Sequence, residues 1–212
     1  MLAELVGSTG HVTGVDASAI QLEQGRDLCR TAKIANVTFV EASATATGLP
    51  RNSFDLVYCR FLLLHLVDPA ACLREMREVL KPGGVLVVED GDLTSAGSTP
   101  VSSLRAFADL FGRLGPTRGL NYALASDLYH LVKAAGFPDP DIEIHQPAIA
   151  RGEDRFLLKW SVEEAGSACI AAGLVTPEEL RNIVSDMDRD TRNLDILALM
   201  PRMSLVWARK PY

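Results

Sequence analysis

The first 92 residues alternate between short apolar runs and longer stretches in which apolar residues recur every three or four positions. Short runs of this kind predict strands, and the longer spacing predicts amphipathic helices. We predict a helix ending near Met1–Val6, closed by the segment 7–10. One further helix is predicted at Ala19–Lys33, and four strands are predicted at Val12–Val15, Val37–Val40, Phe54–Cys59 and Val85–Asp90. The strand Phe54–Cys59 is apolar apart from Asp55, which predicts burial on both of its faces.

Another helix is predicted between the strands Phe54–Cys59 and Val85–Asp90, because Asp68-Pro69 is a typical helix start and Lys81-Pro82-Gly83-Gly84 is a typical helix end. The apolar face of the helix Ala19–Lys33 should bury a set of side chains, namely Ile20, Leu22, Leu28, Cys29 and Ala32. Strands that alternate with helices predict an α/β fold of Rossmann-like type, with a mostly parallel sheet and flanking helices.

The pattern changes after Asp92, where a segment rich in Gly, Ser and Thr precedes further helices. Helices and strands are predicted at Val101–Leu114, Ala125–Ala135, Ile142–His145, Arg155–Ala172, Pro177–Asp190 and Ser204–Arg209. We therefore divide one domain into a partial cofactor-binding core (1–92), a helical cap insert (93–141), and C-terminal strands with a helical insert (142–212), ending in an antiparallel strand.

Composition narrows the choice of partner. The 212 residues carry a net charge of −6, which argues against nucleic acid or an anionic membrane as the main partner. No apolar run is long enough to span a bilayer, so we expect no stable membrane insertion, and a cytoplasmic location. The four cysteines and four histidines show no ligand spacing, so no metal site is expected, and the cysteines should be reduced, near-core thiols. A small-molecule partner fits this balance, and a homodimer stays open.

Three motifs occur in a fixed order between Gly10 and Asp90. They are Gly14-Val15-Asp16-Ala17-Ser18, the segment 52–61 (NSFDLVYCRF) followed by Leu64-His65-Leu66, and Leu80-Lys81-Pro82-Gly83-Gly84. In this order the chain resembles class I S-adenosylmethionine-dependent methyltransferases of the type 11 or ubiquinone/menaquinone-biosynthesis-like group. The resemblance implies S-adenosyl-L-methionine as cofactor and a small-molecule acceptor.

The resemblance also implies a set of cofactor-binding positions. Asp16 would accept the ribose hydroxyls, with a helix N-cap as its alternative role, because a carboxylate ends a strand there. Ala17 and Gln21 would lie beside the adenine, although Gln21 suits a solvent-facing position equally. Ser43 and Ala44 stand where the family has Asp-Ala at the adenine, and an ordinary polar loop is the competing interpretation of this pair. Cys59 and Arg60 would border the methionine part, and a salt bridge is the competing role of Arg60.

Catalytic and acceptor-binding residues are less marked in the sequence. His65 is the candidate general base, and packing at a helix start is its alternative role. The inserts should cover the acceptor with a lining drawn from Asn121, Tyr122, Tyr129, His130 and Trp160. Aromatic residues at helical spacing also suit a core.

The family's first strand and glycine-rich loop are absent from these 212 residues, so we expect a chain truncated at its N-terminus. That strand would lie between the strands at Val12 and Phe54, which must then pair directly or leave unpaired edges. Methyl transfer would be impaired in such a chain. The alternatives are an inactive pseudo-methyltransferase, a partner-dependent binding subunit and, in a different class, a nicotinamide-dependent oxidoreductase.

Overall fold

The computed structural model describes residues 2–212. Helices and strands alternate in the first part of the chain as α1 (Leu2–Leu5), β1 (Val12–Asp16), α2 (Ala19–Thr31), β2 (Val37–Glu41), β3 (Phe54–Arg60), α3 (Pro69–Val79) and β4 (Leu80–Asp92). The remainder forms β5 (Gly97–Thr99), α4 (Ala106–Thr117), α5 (Leu128–Ala134), β6 (Asp141–His145), β7 (Ala148–Ile149), α6 (Leu157–Ala171), α7 (Pro177–Arg192), β8 (Leu197–Leu199) and β9 (Arg202–Arg209). Met1, in the first predicted helix, lies outside the described residues.

The start of α3 follows from its local sequence. The Asp68 side chain accepts a hydrogen bond from the Ala71 amide at 2.8 Å, and Pro69 occupies the first helical turn. At its other end, α3 passes into β4 at Leu80 without a separate turn, whereas the sequence predicts a turn over residues 81–84. Gly83 nevertheless has φ of +77°, a conformation that glycine adopts without strain.

The strands form three sheets. β1 and β2 pair in parallel, β3-β4-β9-β6 form a four-stranded sheet, and β5-β8-β7 form a small antiparallel sheet. Within the four-stranded sheet, β3 and β4 are parallel, and β9 is antiparallel to both of its neighbours. The predicted α/β class, flanking helices and C-terminal antiparallel strand are confirmed, and the small third sheet is an addition that the sequence did not indicate.

β1 and β3 belong to different sheets, so each has one unpaired edge among the described residues. Of the two arrangements expected for these strands, the structure adopts unpaired edges. The predicted burial of β3 on both faces is wrong, because Leu56 is 48% exposed and Tyr58 is 38% exposed. Those side chains stay accessible because the unit formed by β1, α2 and β2 makes its main contacts within itself rather than with β3.

The hydrophobic core lies in the second part of the chain. Its buried members run from Cys59 to Ala208, and Leu22 is the one buried side chain among residues 2–42. The predicted apolar face of α2 is therefore largely wrong, since Ile20 and Leu28 are each 70% exposed. Across residues 2–212, no helix combines the length and apolarity needed to cross a bilayer.

Candidate functional site

The carboxyl end of β1 presents an exposed carboxylate. One oxygen of Asp16, Oδ1, accepts a hydrogen bond from the Ser18 amide at 2.8 Å, and Ser18 in turn caps α2 by accepting from the Gln21 amide at 3.4 Å. The Asp16 side chain thus orders the turn, but the N-cap itself is Ser18. Asp16 Oδ2 has no hydrogen-bond donor within residues 2–212. A free carboxylate oxygen at this position fits the binding of vicinal hydroxyl groups, and Ala17 and Gln21 lie exposed beside it.

The segment after β2 carries the next two candidates. Ser43 is exposed and bridges to Ala46 through the backbone, and its hydroxyl lies 2.9 Å from that of Thr45. Ala44 is half-buried and packs against the main core. This segment joins the β1–β2 unit to β3, so Ser43 stands between the two halves of the candidate cofactor site.

The carboxyl end of β3 places two candidates on opposite faces. Cys59 is buried in the core, and burial raises the pKa of its thiol well above the usual value. Arg60 is exposed and forms an ion pair with Glu89, whose Oε2 lies 3.4 Å from Arg60 Nε. The Glu89 carboxylate also accepts a hydrogen bond from the Tyr58 hydroxyl at 3.4 Å. The salt bridge considered for Arg60 is therefore present.

The chain then bends sharply into a 3-10 turn, Leu63–His65. Phe61, just before it, has φ of +49°, in the left-handed region that is rare for aromatic residues. The turn is anchored by Asp90 at the end of the adjacent strand. Asp90 is fully buried, and its Oδ2 accepts from the amides of Leu63 at 2.8 Å and Leu64 at 3.3 Å. The sequence placed Asp90 at the end of a predicted strand but did not reveal this contact across 27 residues.

His65 sits at the end of this turn against a residue of the cap insert. Its ring meets that of Tyr122 edge-on, with centroids 6.0 Å apart. Tyr122 is buried, stacks edge-on with Phe111, and accepts a hydrogen bond from Arg118 at 3.4 Å. Partial burial, reinforced by the charge of Arg118, lowers the pKa of His65 from its usual 6.5. The imidazole is therefore neutral at physiological pH and can accept a proton.

The other acceptor candidates do not form one cluster around His65. Asn121 is exposed, and its side chain orders the following turn through the Ala123 amide at 3.0 Å. Tyr129 and His130 stack edge-on at 5.3 Å on α5. Trp160 is 45% exposed and stacks on Phe156 at 5.7 Å, on α6. Of the predicted lining, Tyr122 is the residue that the structure brings against His65.

Two surface clefts lie away from these residues. One is lined by α6 and α7, at Lys159, Glu163, Leu180, Arg181, Val184, Ser185 and Asp188. A second is lined by Ala46, Gly48, Leu49, Arg51, Glu75, Glu78 and Val79. None of the residues predicted for cofactor or acceptor lines either cleft. The candidate residues therefore lie outside both clefts, with those predicted for the cofactor at the carboxyl end of β1, after β2 and at the carboxyl end of β3.

An acidic residue at the end of a parallel strand, followed by a capped helix, is an arrangement that α/β nucleotide-binding folds also have. Comparison with known proteins narrows the class. Residues 1–88 match the family described as "Methyltransferase domain". Over 142 residues the chain is 36% identical to a demethylmenaquinone methyltransferase of Staphylococcus aureus, covering 67% of this chain and 56% of that protein. The chain therefore spans about half the length of the curated relative.

Solved structures share the fold. Phosphoethanolamine N-methyltransferase 2 of Haemonchus contortus, with bound S-adenosylhomocysteine, has a TM-score of 0.59 at 19% identity, covering 96% of this chain and 44% of that one. The [4+2]-cyclase SpnF has a TM-score of 0.56 at 23% identity, covering 99% and 69%. By these comparisons, residues 1–88 are similar to a methyltransferase domain, and the chain shares its fold with the solved structures.

Proposed function

We propose that this protein transfers a methyl group from S-adenosyl-L-methionine to a small-molecule acceptor. The observation that carries the proposal is Asp16, which ends a parallel strand with one carboxylate oxygen free to accept hydroxyl hydrogen bonds. The family match over residues 1–88 supports the identity of the ligand, because it includes this strand and its helix.

The proposed cofactor site extends over two sheets, the one that contains β1 and the one that contains β3. Asp16 would receive the ribose hydroxyls, with Ala17, Gln21, Ser43 and Ala44 beside the adenine. The carboxyl end of β3, at Cys59 and Arg60, would border the methionine part. Because the Cys59 thiol is turned into the core, its backbone would make that contact, and Arg60 would have to leave Glu89 to reach a carboxylate. When bound, the cofactor supplies an electrophilic methyl group on a sulfonium ion.

For the acceptor, we propose a quinone-like small molecule. The curated relative is named a demethylmenaquinone methyltransferase, and that name makes reduced demethylmenaquinone the first acceptor to test. Tyr122 is the proposed acceptor-side residue closest to the chemistry, since its ring contacts His65. Asn121, Tyr129, His130 and Trp160 remain proposed contacts of the cap.

The test is calorimetric titration of S-adenosylhomocysteine into the folded 212-residue chain and two variants. Asp16→Ala removes the free carboxylate and should weaken binding by about 10- to 100-fold, because each charged hydrogen bond contributes roughly 1.5–3 kcal/mol. Asp27→Ala is the matched control: it removes an exposed carboxylate of α2 that pairs with Arg30. Equal affinities of the wild type and Asp16→Ala would refute the assigned ribose contact.

A second candidate function is a partner-dependent or inactive member of the family. The observation that favours it is the unpaired edge on both β1 and β3, which leaves the two halves of the site on separate sheets. A folded chain that binds neither S-adenosylhomocysteine nor NADH would support this second function. Binding of NADH alone would instead favour an oxidoreductase.

A further inference from the structure

Asp90 is an ionisable group that the proposed cofactor contacts leave unused. Its side chain is fully buried, and no lysine, arginine or histidine of residues 2–212 pairs with it. Three backbone amides donate to it instead: Leu63 and Leu64 to Oδ2, and Gly91 to Oδ1 at 3.0 Å. Burying a carboxylate is unfavourable unless its oxygens accept hydrogen bonds. Here two of the three donors belong to one short turn, so the buried carboxylate fixes that turn.

The turn held by Asp90 ends at His65. Leu63 and Leu64 are completely buried, so the backbone of the turn is fixed by core packing as well as by the carboxylate. His65 remains solvent-accessible, and its ring nitrogens have no hydrogen-bond partner within residues 2–212. On the other side, the buried ring of Tyr122 limits where the imidazole can turn. A neutral imidazole with both nitrogens free is thus held in place at the carboxyl edge of β3 and β4.

We propose that His65 accepts the proton of the acceptor during methyl transfer and that Asp90 is a positioning residue, fixing the turn that presents this imidazole. The inference rests on the proposed function. One proton would pass from a hydroxyl group of the reduced acceptor to a ring nitrogen of His65, the acceptor's nucleophilic atom would form its bond to the methyl carbon as the methyl–sulfur bond breaks, and the imidazolium would then release the proton to water. S-adenosylhomocysteine leaves as the second product.

Asp92 offers a matched control for Asp90. It lies on the same strand, is 4% exposed, and caps the neighbouring 3-10 turn by accepting from the Thr94 amide at 3.1 Å. It also pairs with Arg202 at 2.7 Å, and it makes no hydrogen bond to the turn that carries His65. Asp92→Asn therefore removes a buried capping charge, as Asp90→Asn does, without releasing that turn.

The first measurement needs no activity. Nuclear Overhauser contacts between the ring protons of His65 and Tyr122 are recorded for the wild type, Asp90→Asn and Asp92→Asn at a temperature where all remain folded. We expect the contacts to disappear in Asp90→Asn and persist in Asp92→Asn. If Asp90→Asn does not fold, Leu64→Ala is used instead, since it loosens the same turn from its core side. Contacts that persist in the folded turn variant overturn the positioning role.

The second measurement is turnover of reduced demethylmenaquinone with saturating S-adenosylmethionine. His65→Ala should lower kcat by about 100-fold or more, with S-adenosylhomocysteine affinity unchanged and partial rescue by added imidazole. Asp90→Asn should lower kcat at least 10-fold in the wild type but hardly at all in the His65→Ala background, because it acts through His65. Independent effects of the two substitutions overturn the coupling, and a loss below threefold in His65→Ala overturns the proton transfer.

The two measurements also separate this inference from the proposed function. A wild-type chain that shows the ring contacts but neither binds S-adenosylhomocysteine nor turns over refutes the proposed function and, with it, the proton transfer, while the positioning of His65 by Asp90 stands. A chain that binds S-adenosylhomocysteine and turns over, but whose kcat is changed by neither His65→Ala nor Asp90→Asn, refutes this inference and leaves the proposed function standing.

Discussion

Replacing Arg155 by methionine should be among the most damaging single substitutions in this protein. Arg155 is 2% exposed, and within residues 2–212 no carboxylate pairs with its guanidinium. The group donates instead to four backbone carbonyls: Thr191 at 2.9 Å, Asn193 at 2.8 Å, Ala150 at 3.0 Å and Ile149 at 3.3 Å. Two of these carbonyls lie at the C-terminal end of α7, where a positive charge also interacts favourably with the helix dipole.

The expected loss of stability follows from the hydrogen bonds that a methionine at position 155 could not make. Methionine fills a similar volume, but four carbonyls lose a charged donor. A buried acceptor left unsatisfied costs about 1–3 kcal/mol, and solvent can reach three of the four because their hydrogen bonds are only part-buried, so we expect a total loss of about 3–5 kcal/mol. Domains of this size are stable by about 5–15 kcal/mol, so roughly a fifth or more of the total would be lost. At roughly 2–4 °C per kcal/mol for chains of 150–250 residues, Tm should fall by about 6–20 °C.

Urea unfolding followed by circular dichroism measures this loss. Arg151→Met is the matched control, because Arg151 is exposed four residues earlier and should change stability by less than about 0.5 kcal/mol. Arg155→Lys keeps the charge but not the planar fork, so it should fall between the two. If Arg155→Met unfolds within about 1 kcal/mol of the wild type, the four carbonyls do not depend on the guanidinium and the reasoning is refuted.

Three further predictions test other buried polar groups. Lys210 donates to Asn52 Oδ1 and to two carbonyls at the end of α3. Lys210→Met should therefore lower the free energy of unfolding in urea by about 2–4 kcal/mol, whereas the control Arg209→Met, at an exposed position, should lower it by less than about 1 kcal/mol. Burial raises the pKa of Cys72 to about 12, and Cys59 and Cys169 are also buried, so a thiol reagent at about pH 8 should label Cys29 quickly and the other three only on unfolding. Because burial lowers the pKa of His65, its contribution to stability is complete above about pH 6.5 and is lost as the pH falls through the lowered value. The stability difference between wild type and His65→Gln should therefore shrink between about pH 7.5 and pH 5, and a difference independent of pH would contradict it.

Elements whose signals are local could be predicted from the sequence. Two adjacent residues determine the start of α3: Asp68 caps the helix and Pro69 occupies its first turn, as the sequence predicts. The strand β1 and the helix after it follow from an apolar run, an acidic residue and a serine cap within seven positions. Class and strand identity were therefore accessible, because hydrophobic periodicity and capping act over a few residues.

Features that depend on distant partners could not be predicted. The exposure of Leu56 reflects which elements fail to cover β3, and no pattern within the strand encodes that. Likewise, the partners of Asp90 lie 26 and 27 residues away, across a parallel strand pair. An acidic residue that ends an apolar strand looks the same in sequence whether it meets solvent, ligand or a buried turn.

The two halves of the candidate site differ in how firmly the fold supports them. Asp90 and the turn of His65 are tied to the main core, whereas Asp16 belongs to a unit whose one buried side chain is Leu22. A two-stranded sheet with one helix has little stability of its own. A ligand that contacts both Asp16 and the end of β3 would link that unit to the core, and its binding would stabilise the weaker half by about 2.7 kcal/mol at 100 times its Kd. Cofactor affinity and the order of the β1–β2 unit are therefore coupled, so part of any affinity lost in a variant of that unit reflects the cost of ordering it rather than a missing contact.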